Sequence, residues 1–263
     1  KKSNIQSDLE INSANAMLIK IGSDKIIFEK NSTEKVYPAS VTKIMTALIV
    51  LSETNNLDEE VTLQEEMFVN IYNENAATAG FLPNETVSIK DLLYGLLLPS
   101  GAECAVGLAE HIAGSESDFA ELMNEKASEL EMNNTHFTNA TGLHDSDHYT
   151  TVSDLTVLLK YALQNKTFKQ IFTTSRHTCK PTSHHADGIT FHSTLFSHLR
   201  TPDFKGGTIL GGKTGYTNQA GQCLASLAEK DGELYILVTC SANGDHKKED
   251  LHIDDALKIY RKI

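Results

Sequence analysis

The sequence predicts a mixed α/β fold of the α+β type, in which one antiparallel sheet is flanked by helices and carries an inserted, mostly helical lobe. Strand-like hairpins occur near both ends of the chain, over 15–30 and 222–241. Helical signals dominate the stretch between them, from about 62 to 152. Strands from the two ends can pair in a single sheet, so we expect the helices in the middle to form an insertion.

The N-terminal hairpin is predicted from two runs rich in Met, Leu, Ile and Phe, 15–21 and 25–30, which a Gly-Ser-Asp turn joins. The next apolar stretch, 41–52, is longer than an ordinary strand. It therefore indicates a helix that is buried on most sides. Short strands are expected at 61–63 and 86–88, on either side of an acidic and Asn-rich segment.

Helix caps and glycine breaks divide the middle of the chain. Ser88 fits an N-cap with Asp91 three residues later, Ser115 or Ser117 caps a later helix, and Gly114 ends the helix before it. The predicted helices cover about 91–98, 102–113, 117–131 and, from Ser153 or Asp154, up to about 164. The predicted loops are 133–150 and the histidine-rich segment 173–193.

The last third of the chain returns to strands. Its predicted elements are strands at 210–216, 222–228 and 234–241 and a helix over 249–262. A two-residue Asp-Gly turn between the second and third strands sets Cys223 opposite Cys240 and Ala225 opposite Val238. These four side chains share an apolar face. Cross-strand disulfides are strained, so we expect two packed thiols there.

We expect residues 1–263 to form a single domain. Its sheet-containing lobe takes in about 1–61 and 153–263, and its helical lobe takes in about 62–152. A cleft between the lobes would lie where the buried helix 41–52 begins. The chain starts with Lys-Lys-Ser-Asn and shows no signal peptide, which is typical of a mature or trimmed start.

The net charge and the amino-acid composition limit which classes of binding partner we expect. The 263 residues carry a net charge of −12, and no basic stripe is available to displace phosphate counterions, so nucleic acid is not an expected partner. No run of 18 apolar residues predicts a membrane span. The four cysteines, Cys104, Cys179, Cys223 and Cys240, lack the CxxC spacing of metal or redox sites, which favours buried, small hydrophobic side chains.

The first chemical signal is a serine and a lysine at the start of the buried helix. Lys43 is the one charged residue between 41 and 52, so it must be paired or have a lowered pKa. Ser40 precedes it by three residues, and positions i and i+3 of a helix share one face. Pro38 favours a helix start here, where free N–H groups favour an oxyanion. A hydroxyl beside a desolvated amine at such a position is typical of an activated serine nucleophile.

Two further stretches complete a known set of motifs. Ser100 lies in the break between two predicted helices, within Ser-Gly-Ala, and Lys213-Thr214-Gly215 lies on a predicted strand after two glycines. Ser-x-x-Lys, a Ser-x-Asn-type triplet and Lys-Thr-Gly together are the signature of penicillin-binding proteins and class A β-lactamases. Their order and spacing fit this sequence.

The sequence resembles the serine D-alanyl-D-alanine carboxypeptidases, which are low-molecular-mass penicillin-binding proteins of peptidase family S11. The resemblance covers nearly the whole chain and implies a β-lactamase/transpeptidase-like fold with no cofactor or metal. It rests on the three motifs above and on the residues around them. The matching segments are 37–47, 97–101, 135–139 with 142–143, and 212–217 with 220–221.

The resemblance implies a role for each motif residue. Ser40 would attack the carbonyl of the penultimate D-alanine, and neutral Lys43 would take its proton. Ser100 would relay a proton to the leaving amine, while Lys213 would add positive potential. The backbone N–H groups of Ser40 and Tyr216 would form the oxyanion hole. The residues implied in substrate binding are Thr214, Gly215, Tyr216 and His192.

The resemblance also implies partners and a location. The substrate would be a peptidoglycan stem peptide ending in D-Ala-D-Ala, and β-lactam antibiotics would acylate Ser40 as inhibitors. The protein would work outside the cytoplasm, at the cell wall or the outer face of the cytoplasmic membrane. Many members also have a C-terminal β-rich domain and an amphipathic anchor. This chain stops at Ile263, so we expect no such domain within it and a membrane tether only outside it.

Two positions depart from the family pattern. The second motif normally ends in Asn, but here position 102 is Ala. This change removes a side-chain amide that is expected to orient the substrate and the Lys43 amine. Glu103 is one candidate to replace that amide. Members often have an Arg upstream of Lys-Thr-Gly that grips the substrate carboxylate, and His192 aligns with it. If His192 has this role, recognition depends on its protonation. A surface loop histidine is the competing interpretation.

Three other functions are weighed against this one. A class A β-lactamase needs a Glu-x-x-x-Asn loop, and the loop 133–150 contains no Glu. A non-catalytic penicillin-binding sensor domain is favoured by Ala102. A zinc D,D-peptidase lacks any HExxH pair here. Its ligands would have to come from His177, Cys179, His184, His185 and His192.

Overall fold

The computed structural model describes residues 9–247 and 249–263, so the Lys-Lys-Ser-Asn start lies outside the described residues. The strands in this part are β1 Ser13–Lys20, β2 Lys25–Lys30, β3 Glu60–Thr62, β4 Thr86–Ser88, β5 Arg176–Thr178, β6 Thr190–His192, β7 Asp203–Phe204, β8 Gly207–Thr217, β9 Gly221–Lys230 and β10 Glu233–Ala242. The α-helices are α1 Lys43–Glu53, α2 Phe68–Asn73, α3 Ile89–Leu97, α4 Ala102–Ala113, α5 Glu116–Glu129, α6 Val152–Ala162, α7 Lys166–Phe172, α8 Thr194–His198 and α9 Leu251–Tyr260. The 3₁₀ turns are Ala39–Thr42 and Glu65–Met67.

One six-stranded antiparallel sheet joins the two ends of the chain. Its strand order is β2-β1-β10-β9-β8-β7, so the N-terminal hairpin lies directly beside the last strand. Two smaller ribbons, β3 with β4 and β5 with β6, lie outside this sheet. The predicted α+β fold, with strands from both chain ends in one sheet and helices between them in sequence, is confirmed.

The hairpin β9–β10 carries the predicted register over most of its length. Ala225 faces Val238, and the ladder continues to Leu224 opposite Thr239. A β-bulge then shifts the pairing, which sets Cys223 against both Cys240 and the residue after it. The two thiols are free and fully buried, as expected for packed, reduced cysteines, and Cys223 Sγ lies 3.6 Å from the carbonyl oxygen of Tyr37.

Both faces of the large sheet are covered by helices. On one face, Ala225 and Val238 belong to the main core, which also contains buried residues of α1 and α3–α7. On the other face, Leu224 and Leu237 pack with Ile253 of α9. This arrangement follows from strict alternation along strands whose two sides are both apolar. No helix in the described ranges is long and apolar enough to cross a bilayer.

Most predicted helix starts are confirmed by their caps. Ser88 accepts a hydrogen bond from the backbone N–H of Asp91 (3.1 Å), and Ser115 caps α5 in the same way. Helix α6 starts at Val152, slightly earlier than predicted, because Thr151 supplies the N-cap oxygen.

The histidine-rich segment 173–193 is not a simple loop, because it contains the ribbon of β5 and β6. His177 contacts Asp91 Oδ1 through Nε2 (2.8 Å) and stacks on Tyr94 with ring centroids 3.6 Å apart. His185 Nδ1 contacts Glu85 Oε1 at 2.8 Å. These partners lie about 90 residues away in the sequence, so only the tertiary fold brings them together. The short helices α2, α7 and α8 were likewise not predicted.

Candidate active site

Ser40 lies in the 3₁₀ turn that leads into the buried helix α1. Pro38 precedes this turn, and Ala39 has a positive φ of 47°. The α-helix itself begins at Lys43, so Ser40 precedes it by less than one turn. Lys43 Nζ donates a hydrogen bond to Ser40 Oγ at 2.9 Å. The hydroxyl and the amine of the first motif are therefore in direct contact.

Lys43 occupies a site that disfavours its charged form. The residue is only 2% exposed, and its Nζ also donates to the carbonyl oxygen of Thr141 at 2.8 Å. Burial lowers the pKa of Lys43 from 10.5 to about 8, although Glu103 and Glu116 oppose this shift. Roughly a tenth of the amine is therefore neutral at pH 7 and able to accept a proton, a far larger share than for an exposed lysine.

The loop that carries Thr141 is built around Asn139. The Asn139 side chain accepts from the Gly142 N–H (2.8 Å) and donates to the Leu143 carbonyl (3.0 Å). Gly142 has φ of +84°, and a Cβ there would lie 2.0 Å from the Ala39 carbonyl oxygen. This position thus requires glycine, and the loop packs directly on the turn of Ser40.

A second hydrogen-bonded serine and lysine face the first pair. Lys213, on β8, is fully buried and donates to Ser100 Oγ (3.0 Å) and to the Thr214 carbonyl (2.7 Å). Burial, and then the neighbouring charge of Lys43, hold the pKa of Lys213 well below its usual value. Because both amines lie in one cleft, protonation of one disfavours protonation of the other.

The glycine of Lys-Thr-Gly lets β8 approach the nucleophile. A Cβ on Gly215 would lie 2.8 Å from the backbone nitrogen of Ser40 and 3.1 Å from that of Val41. Any larger residue would push the strand away from the turn. The backbone of Tyr216, which follows directly, is therefore held beside Ser40.

Two cavities meet at Ser40. The smaller, about 260 Å³, contains Ser100 and Thr214 and also Thr194, whose hydroxyl lies 2.6 Å from that of Thr214. The larger has a volume of about 540 Å³. Its lining includes Lys43, Ala102, Thr141, Gly142 and residues 216–219. Together they form a groove of the size that holds small peptides.

The structure places two residues, His192 and Glu103, differently from what the sequence predicts. His192 ends the ribbon strand β6 with an exposed side chain, and neither cavity beside Ser40 contains it. Three histidines line the smaller cavity, and they are His198, His246 and His252. His198 lies on α8, and its Nδ1 contacts Asp250 at 3.1 Å. His192 therefore does not line the cavities beside Ser40, and its role in binding the carboxylate stays a prediction.

Glu103 does not take the place of the amide missing at Ala102. Its Oε1 accepts three backbone N–H groups of residues 79–81, at 2.6–3.3 Å, and its side chain does not line either cavity. Burial raises the pKa of Glu103. Ala102 itself lines the larger cavity, so this part of the wall is a methyl group.

Some supporting residues had no signal in the sequence. His148 Nε2 lies 2.8 Å from Thr42 Oγ1, and the Thr138 N–H donates to His148 Nδ1 at 3.0 Å. Burial lowers the pKa of His148 to about 4, so this ring is neutral and braces the turn behind Ser40. Thr141 and Thr194 also act through contacts that only the tertiary structure creates.

Two of the histidines that a zinc D,D-peptidase would need as metal ligands form other contacts. His177 and His185 pair with carboxylates of α3 and of the chain before β4, as described above. Across residues 9–247 and 249–263, no three His, Cys, Asp or Glu side chains are grouped to hold a metal ion.

The chain matches the family model of D-alanyl-D-alanine carboxypeptidases, peptidase S11, over residues 2–244. It is 33% identical to a D-alanyl-D-alanine endopeptidase of Escherichia coli, over 96% of this chain and 77% of the relative. It is 32% identical to the D-alanyl-D-alanine carboxypeptidase DacF of Bacillus subtilis, over 90% of this chain, and it spans only 59% of that relative's length. The crystal structure of the Streptomyces K15 DD-transpeptidase aligns with a TM-score of 0.85 at 28% identity, covering 96% of this chain and 97% of the other. These matches show that the chain belongs to the D-alanyl-D-alanine carboxypeptidase family, and the two serine–lysine pairs agree with this.

Proposed function

We propose that the protein is a serine D,D-carboxypeptidase, which removes the terminal D-alanine from peptidoglycan stem peptides through an acyl-enzyme on Ser40. The observation that carries this proposal is the 2.9 Å hydrogen bond between Ser40 Oγ and the buried amine of Lys43. Since burial lowers the pKa of Lys43 to about 8, the amine is a competent base near neutral pH. Two relatives named for D-alanyl-D-alanine peptidase activity support the same chemistry.

Acylation begins with transfer of the Ser40 hydroxyl proton to neutral Lys43. The oxygen attacks the carbonyl carbon of the penultimate D-alanine, and the developing oxyanion lies between the backbone N–H groups of Ser40 and Tyr216. Each such donor contributes about 3 kcal/mol to the transition state. The carbon–nitrogen bond then breaks, and Ser100 relays the proton held on Lys43 to the leaving nitrogen of D-alanine.

Deacylation returns the enzyme to its starting state. A water molecule gives a proton to Lys43 and attacks the ester carbonyl. The bond to Ser40 Oγ then breaks, and the oxygen regains its proton from Lys43. The products are a peptide shortened by one D-alanine and the free serine.

The smaller cavity suits the departing D-alanine. The hydroxyls of Thr194 and Thr214 converge there, 2.6 Å apart, and can donate to the terminal carboxylate. A carboxylate at this point favours the charged form of Lys213, which would supply the positive potential that the family pattern implies. Gly215 and Tyr216 would hold the peptide backbone along β8.

A β-lactam would enter by the same acylation step. Its ring amide takes the place of the D-Ala-D-Ala bond, and the opened ring stays attached to Ser40. We also propose that the protein works outside the cytoplasm, where its peptidoglycan substrate is found, and that any membrane tether belongs to a part of the protein outside this chain.

The test combines mass spectrometry and product release. Wild-type protein incubated with benzylpenicillin should gain the mass of one penicillin, and Ser40→Ala should gain none. Wild-type protein should also release D-alanine from Nα,Nε-diacetyl-L-Lys-D-Ala-D-Ala. No adduct on the wild-type protein would overturn the proposal. An adduct without D-alanine release would instead identify a penicillin-binding sensor.

A further inference from the structure

The larger cavity contains one carboxylate that the proposed mechanism does not use. Among the described residues that line this cavity, Glu74 is the only Asp or Glu. It directly follows the last residue of α2, next to Asn75, and it is an exposed residue of the cavity lining. Free carbonyl groups at a helix C-terminus disfavour a negative charge, so helix stability does not explain an acidic residue here.

The charge of Glu74 is available to a ligand. Within residues 9–247 and 249–263, no Lys, Arg or His side chain forms an ion pair with it. The buried amine of Lys43 lines the same cavity but interacts with Glu103 and Glu116, and Glu74 does not contribute to its pKa. His144 and His246 also line the cavity, but neither forms an ion pair with Glu74. A cation that enters the cavity would therefore meet a carboxylate that no described basic side chain pairs with.

The orientation of the substrate decides which part of it reaches Glu74. The scissile carbonyl must lie at Ser40, where the two cavities meet, and the leaving D-alanine belongs beside Ser100 and Thr214 in the smaller one. The residue before the penultimate D-alanine must then enter the larger cavity. Its Cα lies about 3.8 Å from that of the D-alanine. A long side chain at this position can extend along the cavity toward its mouth.

We propose that Glu74 selects stem peptides whose third residue, the one before the penultimate D-alanine, carries a free side-chain ammonium group. This inference rests on the proposed function, because it assigns the larger cavity to the acyl part of a D-Ala-D-Ala peptide. A diamino acid supplies such a group, and an amide-linked, cross-linked side chain does not. The enzyme would therefore prefer stems whose side-chain amine has not yet been used in a cross-link.

The test compares two substrates that differ in this charge. Wild-type protein should cleave Nα-acetyl-L-Lys-D-Ala-D-Ala with a kcat/KM about fivefold higher than the Nα,Nε-diacetyl form, in the range of an exposed ion pair. Glu74→Gln should bring the ratio of the two kcat/KM values close to one. Added salt should reduce the wild-type ratio as well. Glu65→Gln is the matched control, because Glu65 is exposed in the preceding 3₁₀ turn but does not line the cavity.

The outcomes separate the two proposals. Equal kcat/KM values for the two substrates in the wild-type protein would overturn the role of Glu74 while leaving the carboxypeptidase activity in place. An equal loss on both substrates in Glu74→Gln would also overturn it, since that pattern indicates a structural effect. Release of D-alanine from neither substrate, with no penicillin adduct, would instead overturn the proposed function itself.

Discussion

The two serine–lysine pairs of the cleft have nearly the same geometry but different origins. Lys43 lies 2.9 Å from Ser40, which is three residues away, and Lys213 lies 3.0 Å from Ser100, which is 113 residues away. Both amines are buried, but only Lys43 has carboxylates that raise its pKa against the effect of burial. Local backbone geometry thus builds the pair of Ser40 and its proposed base, while tertiary packing builds the pair of Lys213 and Ser100.

The largest expected effect comes from removing the base. In Lys43→Met the rate of acylation by benzylpenicillin should fall about 10³-fold, because Ser40 loses the group that takes its proton. Stopped-flow measurements with a fluorescent penicillin give this rate, and circular dichroism checks that the variant is folded. A folded variant that acylates within tenfold of the wild-type rate would show that Lys43 is not the base.

A smaller loss is expected in the second pair. Ser100→Ala should lower kcat for D-alanine release about 10²-fold, because the leaving nitrogen loses its proton relay. The loss should be smaller for acylation by benzylpenicillin, whose leaving nitrogen remains tethered to the acyl group. Parallel assays of peptide and penicillin measure both. Equal losses on the two substrates would argue that Ser100 acts on the nucleophile and not on the leaving group.

The difference in charged neighbours predicts a shift in pH dependence. In the wild-type protein kcat/KM should rise with pH and level off above about 8, because the neutral form of Lys43 is the active base. Removing the Glu103 charge in Glu103→Gln lowers the pKa of Lys43 further, so the rising limb should move to lower pH. Glu125→Gln, an exposed change on α5, is the control. An unshifted limb in Glu103→Gln would exclude this electrostatic coupling.

A separate effect is expected on stability. The pKa of Lys43 is lower in the folded protein, about 8, than in the unfolded chain, 10.5, so the unfolded state binds more protons between these values. The free energy of unfolding should therefore rise with pH across this window, by up to about 3 kcal/mol. Urea titrations at pH 8 and 10.5 measure it. Lys43→Met should lack this increment, and an identical pH dependence in both proteins would contradict the assigned pKa.

The same contrast explains what was predictable from the sequence. The fold class follows from hairpins at both chain ends, and most helix starts follow from caps such as Ser88 and Ser115. The contact of Ser40 with Lys43 follows from an i,i+3 spacing. In each case the information lies within a few residues or in a simple periodic pattern.

The parts that sequence reasoning missed depend on distant partners. The contact of Thr141 with Lys43, of Thr194 with Thr214, and the position of Glu74 beside the cavity all require the helices and the sheet to be packed. His192 aligns with the arginine of the family pattern, but it ends β6 with an exposed side chain and lines neither cavity beside Ser40. The bulge of β10 between Thr239 and Ala242, opposite Cys223, likewise has no local signature.

The strand order has a consequence for how the protein is made. Because β1 pairs with β10, the N-terminal hairpin reaches its final neighbour only when the last strand of the chain is present. The contact of Gly215 with the turn of Ser40 also forms only after most of the chain is present, since β8 lies in the final quarter of the sequence. Such long-range pairings are slow to form during folding. A growing chain therefore contains Ser40 and Lys43, three residues apart, long before β8 and Gly215 can complete the surroundings of the serine.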